Sequence, residues 1–261
     1  MSRKEASMSL PLTARAACLM DTGNGQILWE KNAHNPLPPA SMTKMMTALL
    51  VIERAVDIKS SLREQVRVSR RAAAVRGSSM KLRAGERITV HALLTGLLIA
   101  SGNDAAVALA EHVAGSVPSF VKRMNERAVR LGLMNTQFRN PHGLSVQDHY
   151  STASDMCAIA RELIRHKEVL RITSRKRMIV RRNGRTNHLL RNTNTLLGTY
   201  PGVDGLKTGY TPRAKYCLCV TAPHPKLGRL IAVVMGTPTK KSGTKKRQPC
   251  LPLQIRSHRT N

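Results

Sequence analysis

Strand-like alternation gathers at the two ends of this chain and helical spacing fills its middle, and that order restricts the fold more than any other feature of the sequence. Near the start, Arg15 to Met20 and Gln26 to Glu30 flank Asp21-Thr22-Gly23-Asn24-Gly25, whose residues suit a hairpin turn. Beyond Arg175 the alternation returns in Lys176 to Arg181, Arg185 to Leu190, Tyr216 to Ala222 and Arg229 to Met235, with Asn183-Gly184 as a second hairpin turn. The simplest architecture joining these parts is α/β of the α+β kind. One mostly antiparallel sheet forms from the N- and C-terminal parts and packs with helices, and a helical subdomain at about 60–170 is inserted between them. Residues 1–236 are expected to form this unit. Residues 237–261 are expected to be a disordered tail, being basic, punctuated by Pro238, Pro249 and Pro252, and without an acidic residue.

Within the middle block, Met45, Leu49 and Ile52 recur at helical spacing over Ser41 to Ala55, and Pro36, Pro38 and Pro39 mark the start. Ser41 is therefore expected in the first turn of a helix. Val90 to Gly115 reads as helix interrupted at Ser101-Gly102-Asn103, which places that tripeptide on a loop between two helices. Pro118 to Leu131 and Ser154 to His166 read as amphipathic helices, with Ser154 as the N-cap of the second. Aromatic residues make up only 3% of the chain, so the core must be built from Ala, Leu, Val, Ile and Met.

Forty-three Lys and Arg against fifteen Asp and Glu give a net charge of +28, which favours anionic partners in general. The basic residues are scattered over the chain, with a concentration at Lys240, Lys241, Lys245, Lys246 and Arg247, and read mainly as a solvated surface. With no aromatic stacking platform, nucleic acid would be held weakly, with a steep salt dependence and no sequence preference, so no specific nucleic-acid partner is expected. Cys18, Cys157, Cys217, Cys219 and Cys250 show no Cys-x-x-Cys spacing and no nearby His at metal spacing, so neither zinc nor a disulfide framework is expected. Cys217 and Cys219 alternate in an apolar run and read as small hydrophobes on one face. His142, His149 and Asp204 are given structural roles, and Asp104 is read as a cap of the helix that follows it. The basic start Met1-Ser2-Arg3-Lys4 is not followed by a secretory apolar region, and no stretch reaches the ~20 apolar residues of a membrane span.

Three motifs carry chemistry. In Ser41-Met42-Thr43-Lys44 the spacing of i and i+3 puts Lys44 on the face of Ser41. A serine hydroxyl is a weak nucleophile until a base takes its proton, and burial beside a second cation, here Lys207, pushes a lysine toward the neutral form a base requires. The helix N-terminus favours the developing alkoxide. On the Ser101-Gly102-Asn103 loop, Ser101 supplies a hydroxyl for proton relay and Asn103 an amide for a substrate backbone. Lys207-Thr208-Gly209 lies in an extended segment whose edge can pair with a peptide. Lys207 and Thr208 hold a carboxylate, and Gly209 admits close backbone approach.

Together with Pro38-Pro39-Ala40, Gly77-Ser78-Ser79-Met80, Ala100 to Ala106, Asn140-Pro141-His142-Gly143-Leu144 and Pro201 to Gly209, these motifs make the stretch from about Ala14 to Thr237 resemble the serine-type D-alanyl-D-alanine carboxypeptidases, low-molecular-weight penicillin-binding proteins. The resemblance implies a β-lactamase/transpeptidase-like fold and a penicillin-binding catalytic domain over 1–236. It implies that Ser41 attacks the bond between two D-alanines of peptidoglycan stem peptides, that Lys44 is general base and Ser101 relay, and that water hydrolyses the acyl-enzyme. It implies further that β-lactams act as covalent inhibitors and that the backbone N–H groups of Ser41 and Tyr210 form the oxyanion hole. No cofactor is implied, and the site of action is extracytoplasmic.

Departures from the pattern are also legible. Arg213-Ala214-Lys215-Tyr216 stands where the family usually has an acidic residue, alanine, glycine and tyrosine. After Thr239 neither the family's substrate-binding arginine nor its closing helix is recognisable, as expected of a shifted reading frame or a truncation, and a second β-rich domain and C-terminal anchor are not found. A penicillin-fold pseudoenzyme is thus one alternative. A class A β-lactamase is another, but Glu162, the acid considered for deacylation, lacks a nearby Asn.

Overall fold

The computed structural model describes residues 13–57, 62–182 and 185–238. The first pair of strands, β1 (Ala16–Asp21) and β2 (Ile27–Lys31), is antiparallel. Three strands near the other end, β7 (Gly205–Thr211), β8 (Lys215–His224) and β9 (Gly228–Thr237), complete a five-stranded antiparallel sheet in the order β2-β1-β9-β8-β7. Closure comes from β1 lying beside β9, with Ala16 opposite Met235 and Asp21 opposite Leu230. The ends of the described chain therefore meet in one sheet, as their alternation requires.

Between them lie α1 (Lys44–Asp57), α2 (Arg70–Ala74), α3 (Val90–Ile99), α4 (Asn103–Ala114), α5 (Val117–Arg130), α6 (Ala153–Leu163) and α7 (Lys167–Thr173). Two small antiparallel ribbons accompany them: β3 (Gln65–Arg67) with β4 (Arg87–Thr89), and β5 (Arg177–Arg182) with β6 (Arg185–Arg191). The β5–β6 ribbon does not join the main sheet but packs on α3. α6 lies on β1 and β9 as well as on α1, so the 60–170 segment contributes a helix to the sheet's own cover.

Alternation on the central strands sorts the core. Cys18, Met20, Cys217, Cys219, Ile231, Val233 and Met235 face the helices, in one buried cluster with Met45, Leu49 and Ile159. Leu19, Val220, Leu230 and Ala232 face the other way and are covered by Leu197 and Val203. Both faces of β1 are thus covered, and all of its residues are buried. Of the aromatics only Phe120 and Phe138 reach 0% exposure, and the rest of the core is aliphatic or sulfur-bearing. The four described cysteines are buried thiols.

Two local expectations change. The cap of α6 is Thr152, whose hydroxyl accepts from Asp155 N–H at 3.0 Å, rather than Ser154, which lies inside the helix. Asp104 is not a simple helix cap: it sits one residue inside α4, and besides Ala105 N–H its carboxylate accepts from Ser79 Oγ and from the N–H groups of Met80 and Leu82. It thereby fastens the 79–82 segment to the helix start. Asp204 pairs with Arg229 at 2.7 Å at the head of β7. The Asn183-Gly184 turn, Cys250, the first residues and the basic tail from 239 onward lie outside the described residues, and β9 extends through Thr237. Among the described residues no helix is long and apolar enough to cross a membrane.

Candidate active site

The prolines before Ser41 set up a 3-10 turn, Ala40–Thr43, that runs directly into α1. Ser41 sits on this turn, half-buried, with Lys44 on the same side one turn later and wholly buried. Lys44 Nζ lies 2.8 Å from Ser41 Oγ, 2.8 Å from Asn103 Oδ1 and 2.7 Å from the carbonyl oxygen of His142. As an ammonium it donates to all three. A neutral amine keeps only two N–H groups, and these go to the two acceptors that have no proton to give, Asn103 Oδ1 and His142 O. The lone pair is left facing Ser41, whose O–H then donates to Nζ. Burial, reinforced by the charge of Lys207 and opposed by Asp104, holds the Lys44 ammonium well below the ordinary lysine range.

Asn103 opens α4, and its carboxamide is engaged at both ends: Oδ1 accepts from Lys44 and Nδ2 donates to Arg76 O at 2.6 Å. Ser101 precedes it at a φ of 60°, in the left-handed region. Its Oγ accepts from Lys207 Nζ at 2.9 Å, a bond that ties the α3–α4 loop to β7 across the cleft. Lys207 also donates to Thr208 O, and burial alone brings its pKa to about 7. Among the described residues no hydrogen bond joins Ser101 to Ser41 or Lys44. Thr208 Oγ1 lies 2.6 Å from Thr193 Oγ1.

Gly209 explains how β7 approaches the nucleophile. A Cβ there would lie 3.0 Å from Ser41 N and 3.1 Å from Ala40 Cβ, so a side chain would push the strand and the turn apart by a few tenths of an ångström, and glycine lets them lie in close contact. The Tyr210 ring, half-exposed, stacks on Tyr216 at 4.5 Å, away from the turn, so what Tyr210 offers Ser41 is backbone. β7 is the end strand of the sheet, with β8 on one side only.

The third wall is the 139–144 loop. Asn140 Oδ1 accepts from the N–H groups of His142 and Gly143, and its Nδ2 donates to Leu144 O, which fixes the His142 carbonyl in front of Lys44. Thr47 Oγ1 donates to Pro141 O at 2.6 Å. Gly143 has a φ of +89°, and a Cβ there would be 1.9 Å from Ala40 O. His149 is buried behind Thr43. Arg139 N–H donates to its Nδ1, which places the ring proton on Nε2, 2.9 Å from Thr43 Oγ1. Burial and the Arg139 charge lower the His149 pKa to about 4, and burial with the Lys44 charge lowers that of His142 to about 3.

The motif residues thus converge from three regions of the chain. Sequence reasoning used the Asn140–Leu144 run only for its resemblance and gave no role to Asn140 or the His142 carbonyl, and it missed Thr47, which carried no signal of its own. Glu162 pairs with Arg165 and lines a separate cleft with Thr22 and Arg229. Among the described residues no group of three or more His, Cys, Asp or Glu gathers as a metal site.

Comparison with known proteins finds relatives over most of the chain. The family profile described as D-alanyl-D-alanine carboxypeptidase matches residues 3–239. D-alanyl-D-alanine carboxypeptidase DacF of Bacillus subtilis is 46% identical over 228 residues, which is 87% of this chain and 58% of that protein. DacC of Escherichia coli is 41% identical over 235 residues, 87% of this chain and 57% of its own. The chain therefore spans a little under three fifths of these relatives. Among solved structures, the carboxypeptidase DacD from Francisella tularensis superposes with a TM-score of 0.82 at 32% identity, covering 88% of this chain and 67% of that one. The Streptomyces K15 DD-transpeptidase superposes at 0.81 and 31% identity, covering 88% and 92%.

Proposed function

Because the chain belongs to the D-alanyl-D-alanine carboxypeptidase family, we propose that it is a serine carboxypeptidase removing the terminal D-alanine from peptidoglycan stem peptides. The observation that carries this reading is the coordination of Lys44: two proton-free acceptors claim its N–H groups and leave its lone pair on Ser41.

Ser41 Oγ attacks the carbonyl carbon between the two D-alanines as its proton passes to Lys44 Nζ. The N–H groups of Ser41 and Tyr210 receive the oxyanion, which Gly209 permits by bringing β7 against the turn. Donors of this kind are worth ~2.7–4 kcal/mol each. Collapse breaks the peptide bond as the proton held on Lys44 is delivered to the departing amine through the Ser101 hydroxyl, which Lys207 orients. Water then hydrolyses the ester at Ser41 and restores the hydroxyl. Lys207 and Thr208 hold the substrate's terminal carboxylate, and Asn103 keeps Lys44 in place beside its role toward the substrate backbone. The substrate places this action outside the cytoplasm, and β-lactams acylate the same serine. Glu162, paired with Arg165 in another cleft, gives no support to a β-lactamase-type deacylation.

Intact-mass analysis after incubation with benzylpenicillin tests the reading. A one-to-one adduct on the wild type, absent from Ser41→Ala, together with D-alanine release from a D-Ala-D-Ala peptide, is the expected result. A folded wild type that forms no adduct and releases no D-alanine overturns it.

A further inference from the structure

Residues 169–203 carry eight Lys and Arg and no Asp or Glu. The β5–β6 ribbon lies inside this stretch and has two unlike faces. Inward, Val180 and Leu190 are buried against the helical block and Arg182 pairs with Glu86. Outward, Ile179 and Leu189 face each other across the two strands and are 64% and 45% exposed. Arg177 and Arg191, also opposite each other, and Arg181 on the same side of β5 are exposed around them. An aliphatic cross-strand pair ringed by guanidinium groups, on a sheet face that nothing among the described residues covers, is an amphiphilic surface rather than a solvated one.

We infer that the outer face of the β5–β6 ribbon docks on an anionic phospholipid surface, with Ile179 and Leu189 entering the headgroup boundary and Arg177, Arg181 and Arg191 binding lipid phosphates. Charge complementarity selects an anionic partner, since guanidinium matches phosphate bidentately and each basic residue near an anionic bilayer adds to the attraction. The aliphatic pair then selects lipid over a soluble polyanion. A polyphosphate or teichoic chain satisfies the arginines but leaves Ile179 and Leu189 in water, whereas a bilayer buries both. The ribbon leads through Thr193 to Thr208 of β7, so a docked ribbon sits beside the cleft wall that carries Lys207. The inference stands on the ribbon alone and does not need the proposed reaction.

Vesicle flotation of the full chain tests it, using phosphatidylcholine alone and phosphatidylcholine mixed with phosphatidylglycerol. Wild type is expected to float only with the anionic vesicles. Ile179→Ser/Leu189→Ser and Arg177→Gln/Arg181→Gln/Arg191→Gln should each lower partitioning about tenfold or more. Arg67→Gln/Arg70→Gln/Arg71→Gln, the same charge change elsewhere on the surface, should leave it near wild type. Thermal unfolding followed by circular dichroism checks the fold of each, and Ile179→Thr, which keeps a strand-forming residue, replaces the double variant should that fail to fold. Three results overturn the proposal: wild type that ignores anionic vesicles, an aliphatic variant that floats as well as wild type, or a control that loses as much as the ribbon arginines. The second of these, with the arginine variant losing retention on immobilised polyphosphate in parallel, would assign the face to a soluble polyanion instead.

Discussion

At the scale of single residues the site is a problem of placing one proton. Lys44 is surrounded so that its neutral form has every group occupied, and that form is favoured by burial and by the Lys207 charge. Lys44→Arg keeps the cation but cannot release its proton, so penicillin acylation of the variant should fall by about 10²–10⁴. Lys207 sets the opposite limit. Its pKa of about 7 means that the cation is present below that pH and lost above it, so kcat/KM against a D-Ala-D-Ala peptide should decline as pH rises through about 7. The substrate carboxylate favours the charged form, so the corresponding limb in kcat should move to higher pH. In Lys207→Ala the limb should vanish, and Lys44, relieved of a neighbouring charge, should titrate higher. The motif serines and lysines were legible because their identity and spacing are the chemistry. The His142 carbonyl was not, because a main-chain oxygen carries no residue identity and its aim depends on how Asn140 folds the loop.

Two turns carry the argument at the scale of elements. At the β7–β8 turn Lys215 has a φ of 58°, a conformation that costs a side-chain-bearing residue roughly 1 kcal/mol, so Lys215→Gly should raise stability by about 0.5–1 kcal/mol in urea unfolding. Gly143 is the converse case. With its φ of +89° and Ala40 O where a Cβ would go, Gly143→Ala should cost about 2 kcal/mol or more and suppress acylation by shifting the nucleophile turn. β1, β2, β8, β9 and α1, α3, α4, α5 and α6 were readable to within a few residues because each spans enough positions to show its period, whereas β7, rich in Gly and Thr, was legible only as an extended segment. β3 and β4, three residues each, and the short α2 and α7 show no period, and form because the surrounding packing fixes them. The N-cap of α6 illustrates the same limit: Thr152 and Ser154 are equivalent in chemistry, and only the backbone geometry chooses between them.

Over the whole molecule, protonation and chain order set how the fold stands and forms. His149, folded pKa about 4, is held well below its unfolded value near 6.5, so the unfolded chain binds the proton first. Stability is complete above about 6.5 and is lost as pH falls toward about 4, and His142, at about 3, extends the loss further. His149→Gln retains an acceptor for Arg139 N–H and a donor for Thr43 but cannot titrate, so its melting temperature should fall less steeply over that window than that of the wild type. The same long-range logic governs assembly. β1 lies between β2, its neighbour in sequence, and β9, more than two hundred residues away. While the chain is being synthesised, the early hairpin keeps one bare edge until residues 228–237 emerge, and a sheet closed by its first and last strands is slow to form. Because α6 also packs on both β1 and β9, the nascent chain is left with its central core unsealed until its last described strand is made.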